Sequence, residues 1–465
     1  MSIIEGLLIF CTIVISYFLL VILLKKIGLL EKYNISFYGP ALLLRTEKGK
    51  KFIKKISRKK RFWKAYGSFG VAFCFITMIL MVTILIWQAW AVLGFSAEEK
   101  ASIPGPEVAL VLPGINPILP LEFLGYILLG LVVAIIVHEF SHGILTLAGN
   151  LKVKSLGILY FIFPIGAFCE PDEEQLKNTS TIKRMRVYAA GPLSNFVVVL
   201  VSILLFSFVF MSAVQPTDGA NVISIYDNTP ADEIGLSAGM VITSINDTAV
   251  NDIFDFQDAM NLTKPEQTVN ISYFKSEKIY NDKVQLTNYY DFAIKHVRKG
   301  EEDKVNKSYK NDSFLGVKLN TYNTNVFLSS CKNPFTYKVP FGFLMLYILP
   351  LFGAFEGYNP IVAPFTDSYT ITGPLGAIPS EIFWIIVNAL YWIFWLNLAV
   401  GLFNVLPMIP LDGGFLFNDA IGSIISKLRK GISDENKEKI VKNITLVISL
   451  LILFSIIFPF LIKYI

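Results

Sequence analysis

The chain has 465 residues, of which 54% are hydrophobic and only 17% charged, and its mean hydropathy is +0.56. That balance excludes an ordinary soluble domain and reads as an integral membrane protein. The net charge of +5 gathers mainly in one juxtamembrane stretch, which topology and anionic headgroups explain better than a nucleic-acid arm.

In chain order, apolar runs of bilayer length fall near 3–24, 68–94, 121–148, 187–213, 381–407 and 439–463. The first lacks a basic leader and a small-residue cleavage site, and Lys25 and Lys26 follow it, so it reads as a retained anchor. Residues 25–66 form a loop carrying Lys48, Lys50, Lys51, Lys54, Lys55, Arg58, Lys59, Lys60, Arg61 and Lys64. The positive-inside rule places that loop in the cytoplasm. Residues 95–120 then lie outside, 121–148 runs inward and 149–186 is inside with Lys177, Lys183, Arg184 and Arg186. The run 187–213 returns outward, so the mostly polar segment from Gln215 to Tyr337 is extracytoplasmic. Lys427, Arg429 and Lys430 mark a further cytoplasmic stretch before the last span.

Pro340, Gly342, Pro350 and Gly353 interrupt the hydrophobic piece 339–357. It is expected to be re-entrant or interfacial on the outer face, because a full crossing would deliver the next loop to the wrong side. Residues 152–172 are rich in strand formers broken by Gly157, Pro164 and Gly166, which predicts a short hairpin against the membrane helices with an exposed strand edge. The four cysteines, Cys11, Cys74, Cys169 and Cys331, show no CxxC spacing and imply no disulfide framework.

The chemistry concentrates in His138-Glu139-Phe140-Ser141-His142. No charged residue occurs from Phe123 to Val137, and the chain holds only three histidines, so two of them meet a carboxylate at the end of an apolar span. HExxH on a helix places both imidazoles on one face for a zinc ion, with the glutamate near enough to act as general base. An ionisable group in lipid costs about 2.5 kcal/mol or more, so a structural accident is disfavoured. A hydrolytic zinc needs a third protein ligand and one open position. Asp412 is the best candidate: it follows the 381–407 span in Asn404-Val405-Leu406-Pro407-Met408-Ile409-Pro410-Leu411-Asp412-Gly413-Gly414. In Ala189-Ala190-Gly191-Pro192-Leu193-Ser194-Asn195, small residues invite close helix packing, and Asn195 reads as interhelical glue more than as a catalytic group. His296 reads as a solvated surface residue.

Within the polar segment, residues 228–246 resemble the PDZ signature, with Met240 where that family usually has Asp and Asp247 where it has Gly. Phe314-Leu315-Gly316-Val317-Lys318-Leu319 is expected to supply a closing strand, and 275–312 reads as an insertion. PDZ grooves bind extended peptides by strand addition.

HEFSH, the GPLSNF helix, the PDZ-like insert and NVLPMIPLDGG together closely resemble the site-2 protease family of intramembrane zinc metalloproteases. The resemblance spans about 121–260 and 381–420. It implies a Zn2+ cofactor held by His138, His142 and Asp412, with Glu139 as the catalytic general base for a metal-activated water. It suggests Asn404 as a substrate- or oxyanion-contacting residue, and Gly166-Ala167-Phe168 as part of a membrane-embedded β-loop that pairs with unwound substrate.

The expected architecture is therefore an α-helical polytopic membrane protein of about six transmembrane helices, with a membrane-associated β-hairpin and an inserted β-rich PDZ-like domain. Residues 1–120 form a two-helix region with the basic loop, 121–213 and 381–465 the two halves of the catalytic core, 217–322 the PDZ-like domain and 339–380 the re-entrant segment. The expected partners are transmembrane protein substrates, the lipid bilayer and a peptide ligand of the PDZ-like domain, with no nucleic acid. The competing reading is a catalytically inactive membrane-bound peptide binder of PDZ type, against which the intact His-Glu-His-Asp set argues.

Overall fold

The computed structural model describes residues 3–33, 35–38, 41–45, 48–109, 112–161, 163–275, 278–296, 306–320, 324–335, 342–356, 358–429 and 431–463. The chain divides into two compact units: residues 1–116, 121–201 and 392–465 form one, and residues 117–120 and 202–391 the other.

The first unit begins with helix α1 (Ile3–Lys26), then strands β1 (Ile35–Tyr38) and β2 (Ala41–Arg45) and helices α2 (Lys48–Ile56) and α3 (Lys60–Ala91). Helix α4 (Leu124–Ala148) carries HEFSH and is followed by β3 (Val153–Phe161), β4 (Phe163–Pro171), the short α5 (Thr181–Tyr188) and α6 (Ala190–Leu204). The C-terminal part adds α7 (Ser380–Asn404), α8 (Asp412–Leu428) and α9 (Asp434–Ile462). Among the described residues, five helical stretches are long and apolar enough to cross a membrane: 60–94, 121–148, 181–213, 380–404 and 434–462. The sixth expected span, 3–24, coincides with α1, a helix of 24 residues, but it is not among the five. The last two spans start close to where the apolar runs begin to gain charge. Ser433 caps α9 by accepting from the Asn436 N–H, so the charged run 434–439 forms the first turns of that helix.

Residues 25–66 are not a plain loop, which corrects the sequence reading. β1 and β2 pair antiparallel, β2 pairs with β3, and the order β1-β2-β3-β4 makes a four-stranded sheet where a two-stranded hairpin is expected. Leu42, Leu43 and Leu44 register against Tyr160, Leu159 and Ile158. The β3 edge of the expected hairpin is therefore occupied by β2, and β4 and β1 are the outer strands of the sheet. α2 is amphipathic: Lys51, Lys54 and Lys55 are exposed, while Ile53 is fully buried against Ile144, Leu145 and Leu156. That single side chain contributes roughly 1.5–3 kcal/mol of burial to docking α2 on α4.

In the second unit, strands β5 (Val214–Pro216), β6 (Ala220–Ile225), β7 (Val241–Ile245), β8 (Thr248–Ala249), β9 (Thr268–Lys275), β10 (Lys278–Gln285), β11 (Thr287–Asn288), β12 (Ser313–Phe314), β13 (Val317–Leu319) and β14 (Tyr369–Ile371) follow in order. Five of them form a sheet in the order β10-β9-β7-β6-β13, with β8 attached to β7. β13 closes the sheet on β6, as the FLGVKL patch predicts. Ala220, Val222, Ile242, Ile245, Ile271 and Leu315 are buried in its core. The β7–β8 turn is built by Asn246 and Asp247, both with positive φ (48° and 62°), so Asp247 takes the left-handed position where the PDZ pattern has Gly. Within 275–312, Lys278–Gln285 pairs along its whole length with β9, and Tyr289–His296 is a helix. His296 is exposed there, stacked on Phe292. Of the piece 339–357, the structure describes the helix Gly342–Glu356, whose 15 residues span about 22 Å, short of a bilayer core of about 30 Å.

Candidate metal centre

The i, i+4 spacing on α4 sets His138 and His142 one turn apart, both buried, with ring centroids 4.8 Å apart. Each ring is oriented from its far side. His142 Nδ1 donates to the Val187 carbonyl at 2.7 Å. A carbonyl has no proton to give, so Nδ1 carries the hydrogen and Nε2 is left with a lone pair. His138 Nδ1 lies 3.0 Å from Asn195 Oδ1. The Asn195 amide nitrogen faces Ala134 O and Asn397 Oδ1, both at 3.3 Å, which assigns its oxygen to the histidine. Both Nε2 atoms then converge on Asp412 Oδ2, at 2.9 and 3.2 Å.

Three lone-pair donors thus meet in a buried space, all within 4.8 Å of one another. Beyond these two nitrogens, Asp412 Oδ2 is buried and has no hydrogen-bond partner among the described residues. An arrangement of this kind is stable around a cation, and two imidazoles plus a carboxylate with a fourth position open is a donor set that suits catalytic zinc. The bonds to Val187 and Asn195 are of the kind that hold a metal-binding histidine in its productive tautomer.

The backbone is shaped to the same end. A Cβ on Gly191 would stand 2.5 Å from His138 Nε2 and 2.6 Å from His142 Nε2, so only glycine lets α6 pass this close. Asp412 is the first residue of α8, where the helix dipole favours a carboxylate. Gly413 and Gly414 let that first turn lie on the 405–409 backbone, since added Cβ atoms would meet Val405 at 2.3 Å and Met408 at 2.6 Å. The turn is pinned by Ser449 of α9, whose Oγ accepts from the Ile409 N–H at 3.1 Å.

Glu139 is half-buried, and its Oε2 accepts from the Cys169 N–H on β4 at 2.8 Å. The strand predicted to lie beside the histidines therefore reaches the glutamate itself. Asn404 is half-buried with its amide nitrogen donating to Val400 O at 3.0 Å; among the described residues it makes no hydrogen bond to His138, Glu139, His142 or Asp412. Two further residues support the cluster. Asn195, read as interhelical glue, bonds His138 across the α4–α6 contact. Asn397, fully buried on α7, was not singled out; an amide in an apolar span was the signal that pointed to it.

Residues 126–452 match the model of peptidase family M50. An uncharacterized protein of Methanocaldococcus jannaschii is 26% identical over 438 residues, covering 92% of this chain and 93% of its own. A Clostridium acetobutylicum protein named "Putative zinc metalloprotease" is 27% identical over 311 residues, 61% of this chain and 82% of its own. A solved PDZ domain of an SdrC-like protein from Listeria monocytogenes is 26% identical and covers 23% of this chain and 90% of its own, with a TM-score of 0.17 that carries no argument about fold. With the family model matching well over half of its length, the chain belongs to peptidase family M50.

Proposed function

We propose that this chain is an intramembrane zinc metalloendopeptidase that hydrolyses peptide bonds within or next to transmembrane segments of other membrane proteins. The observation that carries this reading is the convergence of His138 Nε2, His142 Nε2 and Asp412 Oδ2 at the end of a helix apolar enough to span a bilayer. His138, His142 and Asp412 would hold the metal, which when bound would lower the pKa of a water and polarise the scissile carbonyl. Glu139 takes the proton from that water and returns one to the leaving amine. Val187 and Asn195 keep both histidines in the tautomer that leaves Nε2 free. Asn404 contacts the substrate or the developing oxyanion once a substrate enters.

A helical substrate hides its carbonyls in hydrogen bonds and must open before it can be cut. The outer edge of β4, adjacent to Glu139, is suited to hold an opened segment by strand addition. Charge placement supports a site toward the cytoplasmic side, with the β6–β13 domain extracytoplasmic and the Gly342–Glu356 helix re-entrant. Strand β13 is the sheet edge at which that domain takes a peptide. Cleavage of this kind releases or destroys membrane-anchored regulators, the logic of regulated intramembrane proteolysis.

Asp412→Ala is expected to purify folded and nearly zinc-free, a loss larger than the roughly 10–100-fold that outer partners of a metal ligand cost. Elemental analysis of the protein checks this, and full zinc occupancy in the variant would remove Asp412 from the site. In proteoliposomes, a reporter with one transmembrane segment is expected to be cut by wild type, protected by a chelator and cut again when zinc is restored. Removing residues 217–322 is expected to leave basal cutting intact while selectivity among reporters falls. Unchanged ranking of the reporters would show that the domain does not screen substrates.

A further inference from the structure

α5, only eight residues long, touches both halves of the metal centre, and its contacts are spaced to match. Val187 O orients His142. Tyr188 stacks on Phe415 of α8, with ring centroids 5.3 Å apart and planes at 26°. Arg184 grips the carboxylate of Asp419 with two nitrogens, Nε at 3.0 and 3.2 Å and Nη2 at 2.8 Å. Its remaining guanidinium nitrogen donates to Lys177 O and Thr179 O, which fixes the fork before it reaches α8.

On α8, Asp412, Phe415 and Asp419 fall at i, i+3 and i+7, one stripe along the helix. The stripe therefore begins with the metal-facing carboxylate and ends in the ion pair. His142 and Asp412 are about 270 residues apart in sequence, so no short covalent path sets their separation. Metal bonds accept errors of only about 0.2 Å, and a slip of α8 along its axis would carry Asp412 off the histidines.

We propose that the Arg184–Asp419 pair is a positioning latch that holds α8, and with it Asp412, in register with His138 and His142. The inference rests on the zinc-peptidase reading above. Neither residue touches substrate or the reacting atoms; both act through Asp412. The pair is mostly buried, with side chains 20% and 16% exposed. Ion pairs so desolvated add little net stability but specify geometry, because a displaced pair leaves charges unmatched.

The test is a double-mutant cycle on zinc release from full-length protein into excess chelator, with Arg184→Gln, Asp419→Asn and the two combined. Each single variant is expected to release zinc about tenfold faster than wild type or more. The double variant is expected to be no faster than the worse single, since both remove one interaction. Its two neutral amides leave no unpaired charge, so it serves as the folded control, checked by thermal unfolding of the zinc-free protein. Release at the wild-type rate in all three, or effects that multiply in the double, would overturn the latch. Wild-type protein that binds no zinc would overturn the peptidase reading together with it; a zinc-loaded wild type with unaffected variants overturns the latch alone.

Discussion

Replacing Glu139 with Gln is expected to stop peptide hydrolysis while the protein keeps its zinc. The substitution preserves shape, and the amide oxygen can still accept the Cys169 N–H that Glu139 Oε2 accepts at 2.8 Å, so β4 stays in place. None of the three metal-facing atoms is altered. What is lost is a basic oxygen beside the metal. General-base catalysis contributes about 10²–10⁴-fold, so cleavage should fall at least about a hundred-fold in a proteoliposome reporter assay. Zinc content should be unchanged, which separates lost chemistry from a lost site. Cleavage within about tenfold of wild type would show that another group accepts the proton.

Gly191→Ala is the second large effect, and it acts in the opposite sense: fold retained, metal lost. The new methyl would sit 2.5 and 2.6 Å from the two Nε2 atoms and 2.7 Å from His138 Cδ2, separations that real carbon contacts do not reach. Backing α6 away is blocked by the buried Ala189, Ala190 and Leu193 on either side. The rings must therefore turn, breaking the bonds to Asn195 and Val187, each worth about 1 kcal/mol. Alanine itself favours a helix over glycine by roughly 0.5–1 kcal/mol, which offsets part of the two lost bonds, so zinc-free stability should fall by only about 1–1.5 kcal/mol. Zinc analysis after purification is the readout. A variant with wild-type zinc content would mean that α6 can move and that the close approach is incidental.

The metal-facing residues were legible in the sequence because their spacing is dictated by a helix: HExxH needs only i, i+4, and LDGG announces a carboxylate on a backbone that must approach another. Their outer partners were not legible, because they depend on how helices distant in sequence meet. Asn195 looked like packing material among small residues, and Asn397 looked like one more polar atom in a long apolar run. Only the folded chain sets His138 Nδ1 3.0 Å from Asn195 Oδ1. Arg184 was counted as topological charge, yet it is paired with Asp419, 235 positions away.

The fold shows the same division. Long apolar runs mark five of the six expected spans among the described residues, and FLGVKL marks the closing strand of the second unit. The sheet around β3 was harder to see, because β1 and β2 are strands of four and five residues lying in a lysine-rich stretch. Positive charge there outweighed the Leu42-Leu43-Leu44 run that pairs with β3. Strand β10 is hidden similarly, since four of its eight residues are exposed polar or charged side chains and only Val284 is buried.

The central claim is that this site cuts a membrane-embedded peptide bond, and the masses of the products test it most directly. A purified, zinc-loaded enzyme should be reconstituted with a reporter whose single transmembrane segment is flanked by inert tags, and both fragments weighed. The account predicts two fragments whose masses sum to the reporter plus one water, with the new ends inside or immediately beside the apolar segment, and none with Glu139→Gln. An intact reporter, or ends confined to the soluble tags, would contradict it.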